Sequence, residues 1–208
     1  MPVDIQLDPS LGAGYKSASQ RARRITEGWF AERMYCPACP SRRLEALQDN
    51  TRVVDFACPG CGAQFQLKAK GSPLGRKVRD AAYDPLMRRV VAGRSPHFAF
   101  LHYDRERWQV RNLLLVPGHF IVPSVIERCR PLSASARRSG WVGCNILIGA
   151  LPSQARLHAV ADGRDHPPGQ LRDTWARFAW LAEQSAESRG WTADVLRCLE
   201  RLDRREFR

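Results

Sequence analysis

Four of the seven cysteines fall into two CxxC pairs, Cys36-Pro-Ala-Cys39 and Cys58-Pro-Gly-Cys61, with 18 residues between the pairs. Each pair lets two thiolates from one tight turn reach the same ion, and two such knuckles complete a tetrahedron. The spacing falls in the range of a zinc ribbon. Four cysteine ligands leave no open position for a substrate, so zinc bound here is expected to be structural. The plainer alternative is two unrelated turns in a reducing cell. Cys129, Cys144 and Cys198 have no partner at metal spacing and read as small buried hydrophobes.

A chain of 208 residues, 44% hydrophobic and 26% charged, can bury a sizeable core, and one domain over 1–208 with a zinc-binding insertion at about 36–61 is expected. No apolar run of about 18 residues exists to span a membrane. The opening MPVDIQLDPS has neither a basic nor an apolar signal region, so the chain is expected in the cytoplasm. Its charge is less ordinary. Thirty-three basic residues against 21 acidic ones give +12. Only Lys16, Lys68, Lys70 and Lys77 are lysines, and 29 are arginines. GC-rich coding is one bland cause for that ratio, but it does not explain the net charge. Affinity for a polyanion follows, and nucleic acid fits best, with a membrane surface or a functionless basic surface as alternatives.

Ser19 to Met34 has helical spacing, with Ser19 as cap and Ala22, Ile25 and Trp29 on one stripe. Arg52–Ala57 reads as a strand, the second knuckle as the turn of a hairpin, and Ala63–Ala69 as the return strand. On that strand Phe65 and Leu67 face one side, Gln66 and Lys68 the other. A loop follows at Lys70–Lys77. Asp84, Pro85 and Gly93 frame a helix through Leu86, Val90 and Val91. His97–Tyr103 and Trp108–Val116 are nearly continuous apolar runs, joined by a turn at Asp104–Arg107, and suggest a sheet covered on both faces. Ile146–Ile148 and Arg156–Val160 read as short strands, and Gln170 to about Ala186 as a helix. A last helix is predicted from Thr192, with Trp191 stapling onto Leu196.

The chemistry concentrates in the hairpin. Asp55 stands on one strand, with Gln66 and Lys68 eleven and thirteen residues later on the other. Asp55, the side-chain oxygen of Gln66 and the main-chain carbonyl of Leu67 offer hard oxygen ligands to magnesium. The Lys68 ammonium can orient water or stabilise developing charge. Taken alone the pattern is weak, since solvated faces often carry one Asp and one Lys.

Its setting is more specific. Tyr15-Lys16-Ser17, Ser19-Gln20, Ala22-Arg23, Thr26-Glu27 and Trp29 stand ahead of the first knuckle; the knuckles straddle VVDF; FQLKAK follows. Arg137-Arg138-Ser139-Gly140-Trp141-Val142-Gly143-Cys144-Asn145-Ile146 and Ser188-Arg189-Gly190-Trp191-Thr192 come later. In this order the motifs resemble the DpnI-type (Dam-replacing) restriction endonucleases, over roughly residues 12 to 203. The resemblance implies an α/β fold of the restriction-endonuclease-like PD-(D/E)xK kind: a central mixed sheet flanked by helices, with the zinc site embedded. It implies a magnesium-dependent type II enzyme of the prokaryotic cytoplasm, a monomer without a small-molecule substrate, cutting double-stranded DNA at GATC when the adenine amine is methylated. Asp55, Gln66 and Lys68 then take the catalytic roles. Glu27 is either a further metal ligand or an i,i+4 partner of Arg23. Trp141, Arg137, Arg138, Asn145, Lys16 and Ser17 are candidates for DNA contact. Trp141, flanked by Gly140 and Gly143, is expected to be exposed and to meet the methyl groups, whereas Trp29, Trp108 and Trp180 read as core.

Two departures matter. The family's motif has Glu where this chain has Gln66, so one negative charge is lost; whether the site is a cutting variant or an inactivated one stays open. Family members also continue into a winged-helix domain that this sequence does not show, so specificity is expected from the nuclease part alone. A zinc-stabilised reader of methylated DNA without catalysis is the second reading, and a repair or RNA nuclease built on the same core is a third.

Overall fold

The fold was obtained as a computed structural model, which describes residues 3–48, 51 and 53–206. It is a mixed α/β fold with a central mixed sheet and helices. The chain groups into two compact units: Met1–Leu74, Pro96–Leu115 and Leu157–Arg177 form the first, and Gly75–Ser95, Val116–Arg156 and Phe178–Arg208 the second.

In the first unit, α1 (Ala18–Arg33) leads into the knuckles, and α3 (Pro168–Arg177) closes the unit. Between them lie β1 (Glu45–Ala46), β2 (Phe56–Ala57), β3 (Gln64–Lys70), β5 (His97–Asp104), β6 (Gln109–Val116), β9 (Leu157–Ala161) and β10 (Arg164–Asp165), hydrogen-bonded in the order β1-β2-β3-β5-β6-β9-β10. β2 runs antiparallel to β3, and β3 parallel to β5 with Gln66 beside Phe98 and Lys68 beside Phe100. Parallel neighbours require the chain to leave the sheet between them. Residues 71–96 make that excursion. Both faces of β5 are buried: Ala99 and Leu101 join the core around Ile25, Trp29 and Phe30 of α1 and Leu171 and Trp175 of α3, while Phe98 and Phe100 stack on each other at 5.6 Å. The apolar runs of β5 and β6 therefore match their sequence reading.

The second unit holds β4 (Val78–Ala82), α2 (Tyr83–Val91), β7 (Ile126–Arg128), β8 (Gly143–Ile146) and α4 (Ala186–Glu206), with an antiparallel sheet in the order β4-β8-β7. Gly93, at φ 72°, ends α2 as its position predicts. Arg189, 1% exposed, donates to the carbonyls of Val90 and Ser185, both at 3.4 Å. It thereby caps the last turn of α2 from α4, so the Ser188-Arg189-Gly190 stretch owes its arginine to packing. Among the described residues no helix is long and apolar enough to cross a membrane.

Several boundaries differ from the sequence reading. Ser17, not Ser19, is the N-cap of α1. The strand expected over Arg52–Ala57 shrinks to Phe56–Ala57, because Val53 turns the chain at φ 67°; Arg52 itself lies outside the described residues. The strand at Ile146–Ile148 is instead Gly143–Ile146, and Ile148–Ala150 is a 3-10 turn. The helix expected to reach Ala186 stops at Arg177, where Phe178 (φ −114°, ψ 8°) leaves helical geometry, and a 3-10 turn covers Ala179–Glu183. The last helix starts six residues earlier than Thr192, because the Ser185 hydroxyl accepts the Ser188 amide at 3.1 Å and caps it. Gly190 is then an interior residue of α4, and Trp191, 69% exposed, makes no staple. Trp180 is 52% exposed and Trp108 half-buried, so only Trp29 of the three expected core indoles is core. Cys144 is buried, whereas Cys129 is half-buried and Cys198 exposed.

Burial pushes His119, 5% exposed in the second unit, down to about 4, with the Arg189 charge adding to the shift. Its neutral form is the folded one, and an unfolded histidine titrates at about 6.5. Stability is thus full above pH 6.5 and falls as pH drops towards 4, by up to about 3 kcal/mol from this group. Urea unfolding of His119→Gln is expected to show a flatter pH dependence between pH 6.5 and 4 than the parent; identical slopes would contradict this burial.

Candidate active site and metal centre

The two knuckles of the first unit come together. Cys36 Sγ lies 3.7 Å from Cys61 Sγ, Cys39 Sγ lies 3.5 Å from Cys58 Sγ, and all four sulfurs fall within 4.8 Å of one another. A tetrahedron with zinc–sulfur bonds of 2.3 Å has edges of about 3.8 Å, so the spacing fits. The Ser41 amide points at Cys39 Sγ at 3.5 Å, and the Gly60 amide at Cys58 Sγ at 3.4 Å, as amides do where a turn carries thiolates. Burial raises the Cys58 thiol, but the amides of Cys61 and Gly60 and the neighbouring Cys39 and Cys36 thiols outweigh it and bring it to about 6. Among the described residues these four are the only group of three or more Cys, His, Asp or Glu side chains close enough to share an ion. They could hold a structural metal, and thiolate sulfur suits zinc. Sequence reasoning missed the brace on this site. Arg172 of α3 donates from Nε to the Cys36 carbonyl at 3.1 Å and from Nη2 to the Ser41 carbonyl at 3.2 Å, and lies 5.0 Å over the Tyr35 ring. A lone arginine more than 130 positions from the first knuckle gives no local signal.

Two residues after the turn at Val53 comes Asp55, just ahead of β2. Its amide donates to the Phe65 carbonyl, and its carbonyl accepts the Leu47 amide, each at 2.9 Å. Its Oδ2 accepts the Leu67 amide at 2.8 Å, so the carboxylate is fixed across the hairpin against β3. Phe56 pairs with Phe65, and Asp55, one residue earlier, is held to Phe65 and Leu67 of β3. Gln66 is 4% exposed, and its Oε1 is buried with no hydrogen-bond donor. Lys68, half-buried, follows two residues on and so shares the Gln66 face of β3. The hairpin thus carries a held carboxylate just ahead of β2, and a buried unpaired carbonyl oxygen and an ammonium-bearing side chain two residues apart on β3. An unpaired buried carbonyl costs about 1–3 kcal/mol, which an oxygen-seeking cation would offset.

Other candidates fall elsewhere. Glu27 accepts from Arg23 Nε at 2.6 Å, the i,i+4 pairing, and lines a cavity of about 560 Å³ with Leu67, Lys70, Tyr103 and Arg105. Lys16 and Ser17 are exposed at the start of α1, where the Ser17 hydroxyl lies 2.8 Å from that of Ser19.

In the second unit Trp141 is half-buried rather than open, with the Arg138 guanidinium 4.7 Å and the Arg79 guanidinium 5.9 Å from its ring centroid. Arg137 and Arg138 are exposed on the segment just before it. Asn145 lies between Arg79 and Glu127 in the register of the three-stranded sheet, and its amide donates to Glu127, whose other partner is Lys77 Nζ at 2.9 Å. Lys77 first, and then Asn145, hold the Glu127 carboxyl below its ordinary range. The candidates Trp141, Arg138 and Asn145 thus gather around β8. Arg79, which the sequence reading did not single out, sits among them.

The cysteine cluster, the Asp55 hairpin and the Trp141 stretch are among the parts on which the sequence resemblance rests. A comparison with known families matches residues 3–184 to the Dam-replacing family of DpnI. The chain belongs to the DpnI-type, Dam-replacing family.

Proposed function

We propose that the chain is a metal-dependent restriction endonuclease that hydrolyses duplex DNA at GATC sites methylated on adenine. Membership of the family supports a methyl-directed nuclease with DNA as its partner. The observation that carries the catalytic reading is the Asp55 carboxylate fixed by the Leu67 amide, next along β3 to Gln66 with its buried, unpaired Oε1. That arrangement supports a PD-(D/E)xK core in which Gln66 stands at the acidic position. The net charge of +12 agrees with a polyanionic substrate.

Asp55 and Gln66 are the residues that would hold magnesium. Leu67 adds its carbonyl, since an extended residue turns its N–H and C=O to the same edge and the Leu67 N–H already meets Asp55. Bound there, a hard divalent ion polarises a phosphate and lowers the pKa of a water. The residues do the rest. The Leu67 amide keeps Asp55 from rotating, and the packing of Phe56 against Phe30, ring centroids 4.9 Å apart, holds β2 in place. Lys68, anchored in the β3–β5 ladder, carries a cation to where charge develops on the phosphate. Because Gln66 is neutral, the ligand set has one charge fewer than an Asp–Glu pair, and weaker metal binding follows. In the second unit, Trp141 with Arg137 and Arg138 is the group proposed to meet the methylated bases and neighbouring phosphates.

Incubating adenine-methylated and unmethylated plasmid with magnesium or manganese tests the reading. Cutting of the methylated plasmid alone is expected. Methyl-selective binding without cutting in either metal would favour the non-catalytic reader, which the neutral Gln66 makes the second reading. Asp55→Ala and Lys68→Ala are each expected to lower cleavage by about 10²–10³-fold or more, with binding of methylated DNA retained. A wild-type rate in either variant would remove that residue from the site. For the cysteines, elemental analysis is expected to find one zinc per chain, and Cys58→Ser to lose it together with thermal stability. Metal-free protein of unchanged stability would contradict a structural zinc.

A further inference from the structure

We propose that Arg79 is a positioning residue for the indole of Trp141; this rests on the reading above, in which that ring meets the methyl groups. Arg79 projects from the exposed face of β4, in register with Asn145 of β8. Three features of the second unit converge on its guanidinium. Nη1 donates to Cys129 Sγ at 2.8 Å. The guanidinium carbon lies over the Trp141 ring, 5.9 Å from the centroid, where the ring quadrupole attracts a cation. The third is Gly143: a Cβ built there would fall 2.7 Å from Arg79 Nη2 and 2.8 Å from Trp141 Cη2. A Cβ at residue 143 would displace the guanidinium or the indole from where they lie together against β8.

The two arginines on the ring differ in how they are held. Arg138 is exposed on the segment leading to Trp141, close enough in sequence to move with it. Arg79 starts from a paired strand and is hydrogen-bonded at its far end, so it ties the ring to the sheet. An indole fixed before DNA arrives loses less freedom on contact, and its affinity for a methyl group is correspondingly higher. The residue therefore acts through Trp141 and need not touch a base. Its sequence neighbourhood, Val78-Arg79-Asp80-Ala81-Ala82, carries no sign of this, because the three features meet only once β4, β8 and the segment after β7 are paired.

A plain surface cation would behave differently. It would strengthen binding to every duplex alike and leave the preference for methylated DNA unchanged. The test is the ratio of dissociation constants for unmethylated and doubly methylated GATC duplexes. It is measured by fluorescence anisotropy on the full chain at fixed salt without divalent ions, with thermal unfolding as the fold control. Burial of two methyl groups gives the parent a ratio of about fifteenfold. Trp141→Ala is expected to bring it near one, and Arg79→Met below about threefold. Arg79→Lys is expected to restore part of the ratio, because an ammonium still reaches the ring face but has no fork for the thiol. If Trp141→Ala keeps the parental ratio, the reading of Trp141 fails and the role of Arg79 with it. If Trp141→Ala abolishes the ratio while Arg79→Met keeps it, or weakens both duplexes by one factor, the proposal for Arg79 is overturned and Trp141 stands.

Discussion

The hydrogen bond from the Leu67 amide to Asp55 Oδ2, 2.8 Å long, is the contact on which the candidate site depends. β2 is two residues long, too short to keep its register by ladder bonds alone. The contacts around it supply what length does not. On the N-terminal side Val53 turns the chain and Asp55 bonds Phe65 and Leu47; on the C-terminal side the Cys58 amide donates to the Ala63 carbonyl, and the four clustered sulfurs follow. Were a metal to join those sulfurs, its binding free energy would be folding free energy for the hairpin. The proposed structural zinc and the proposed catalytic ion would then be coupled through a few residues of backbone, with Arg172 bracing the far side.

The two units divide the chemistry. The first offers hard oxygen atoms and an ammonium on a sheet whose interior is packed with Phe65, Ala99 and Leu101. The second offers guanidinium groups, an indole and an Asn–Glu–Lys network around a three-stranded sheet. Oxygen ligands suit a divalent ion and phosphate, while an apolar ring among arginines suits methylated bases in a polyanion. Under the proposed function the first unit would cut and the second would recognise.

Much of this was legible in the sequence, and the failures have physical reasons. The CxxC pairs announce the cluster because two thiols on a tight turn already define half of a metal site. β3 was legible from its alternation, β5 and β6 from their continuous apolar runs, and α2 from Pro85 and Gly93 standing where backbone geometry demands them. What failed had two kinds of cause, local backbone geometry and partners far along the chain. Val53 at positive φ contradicts the preference of a β-branched residue, so the strand before Asp55 reads too long. Gly190 looks like a breaker, yet α4 runs through it, stabilised by the Ser185 cap and by Arg189 on the Val90 carbonyl. Glu27 had two readings of equal standing, and its 2.6 Å contact with Arg23 favours the i,i+4 pair. The half-burial of Trp141 was invisible because Arg79 lies 62 positions earlier.

Under the proposed function Asp55 and Gln66 would together hold the cation, and position 66 would set the charge of the ligand set. The most direct measurement compares the magnesium dependence of methyl-directed cleavage in the parent and in Gln66→Glu. Restoring the charge is expected to move half-maximal activity to lower magnesium by about tenfold or more, the change that ~1.4 kcal/mol of added attraction produces. Superimposable magnesium curves for the two proteins would show that residue 66 does not touch the ion, and would contradict the site as described.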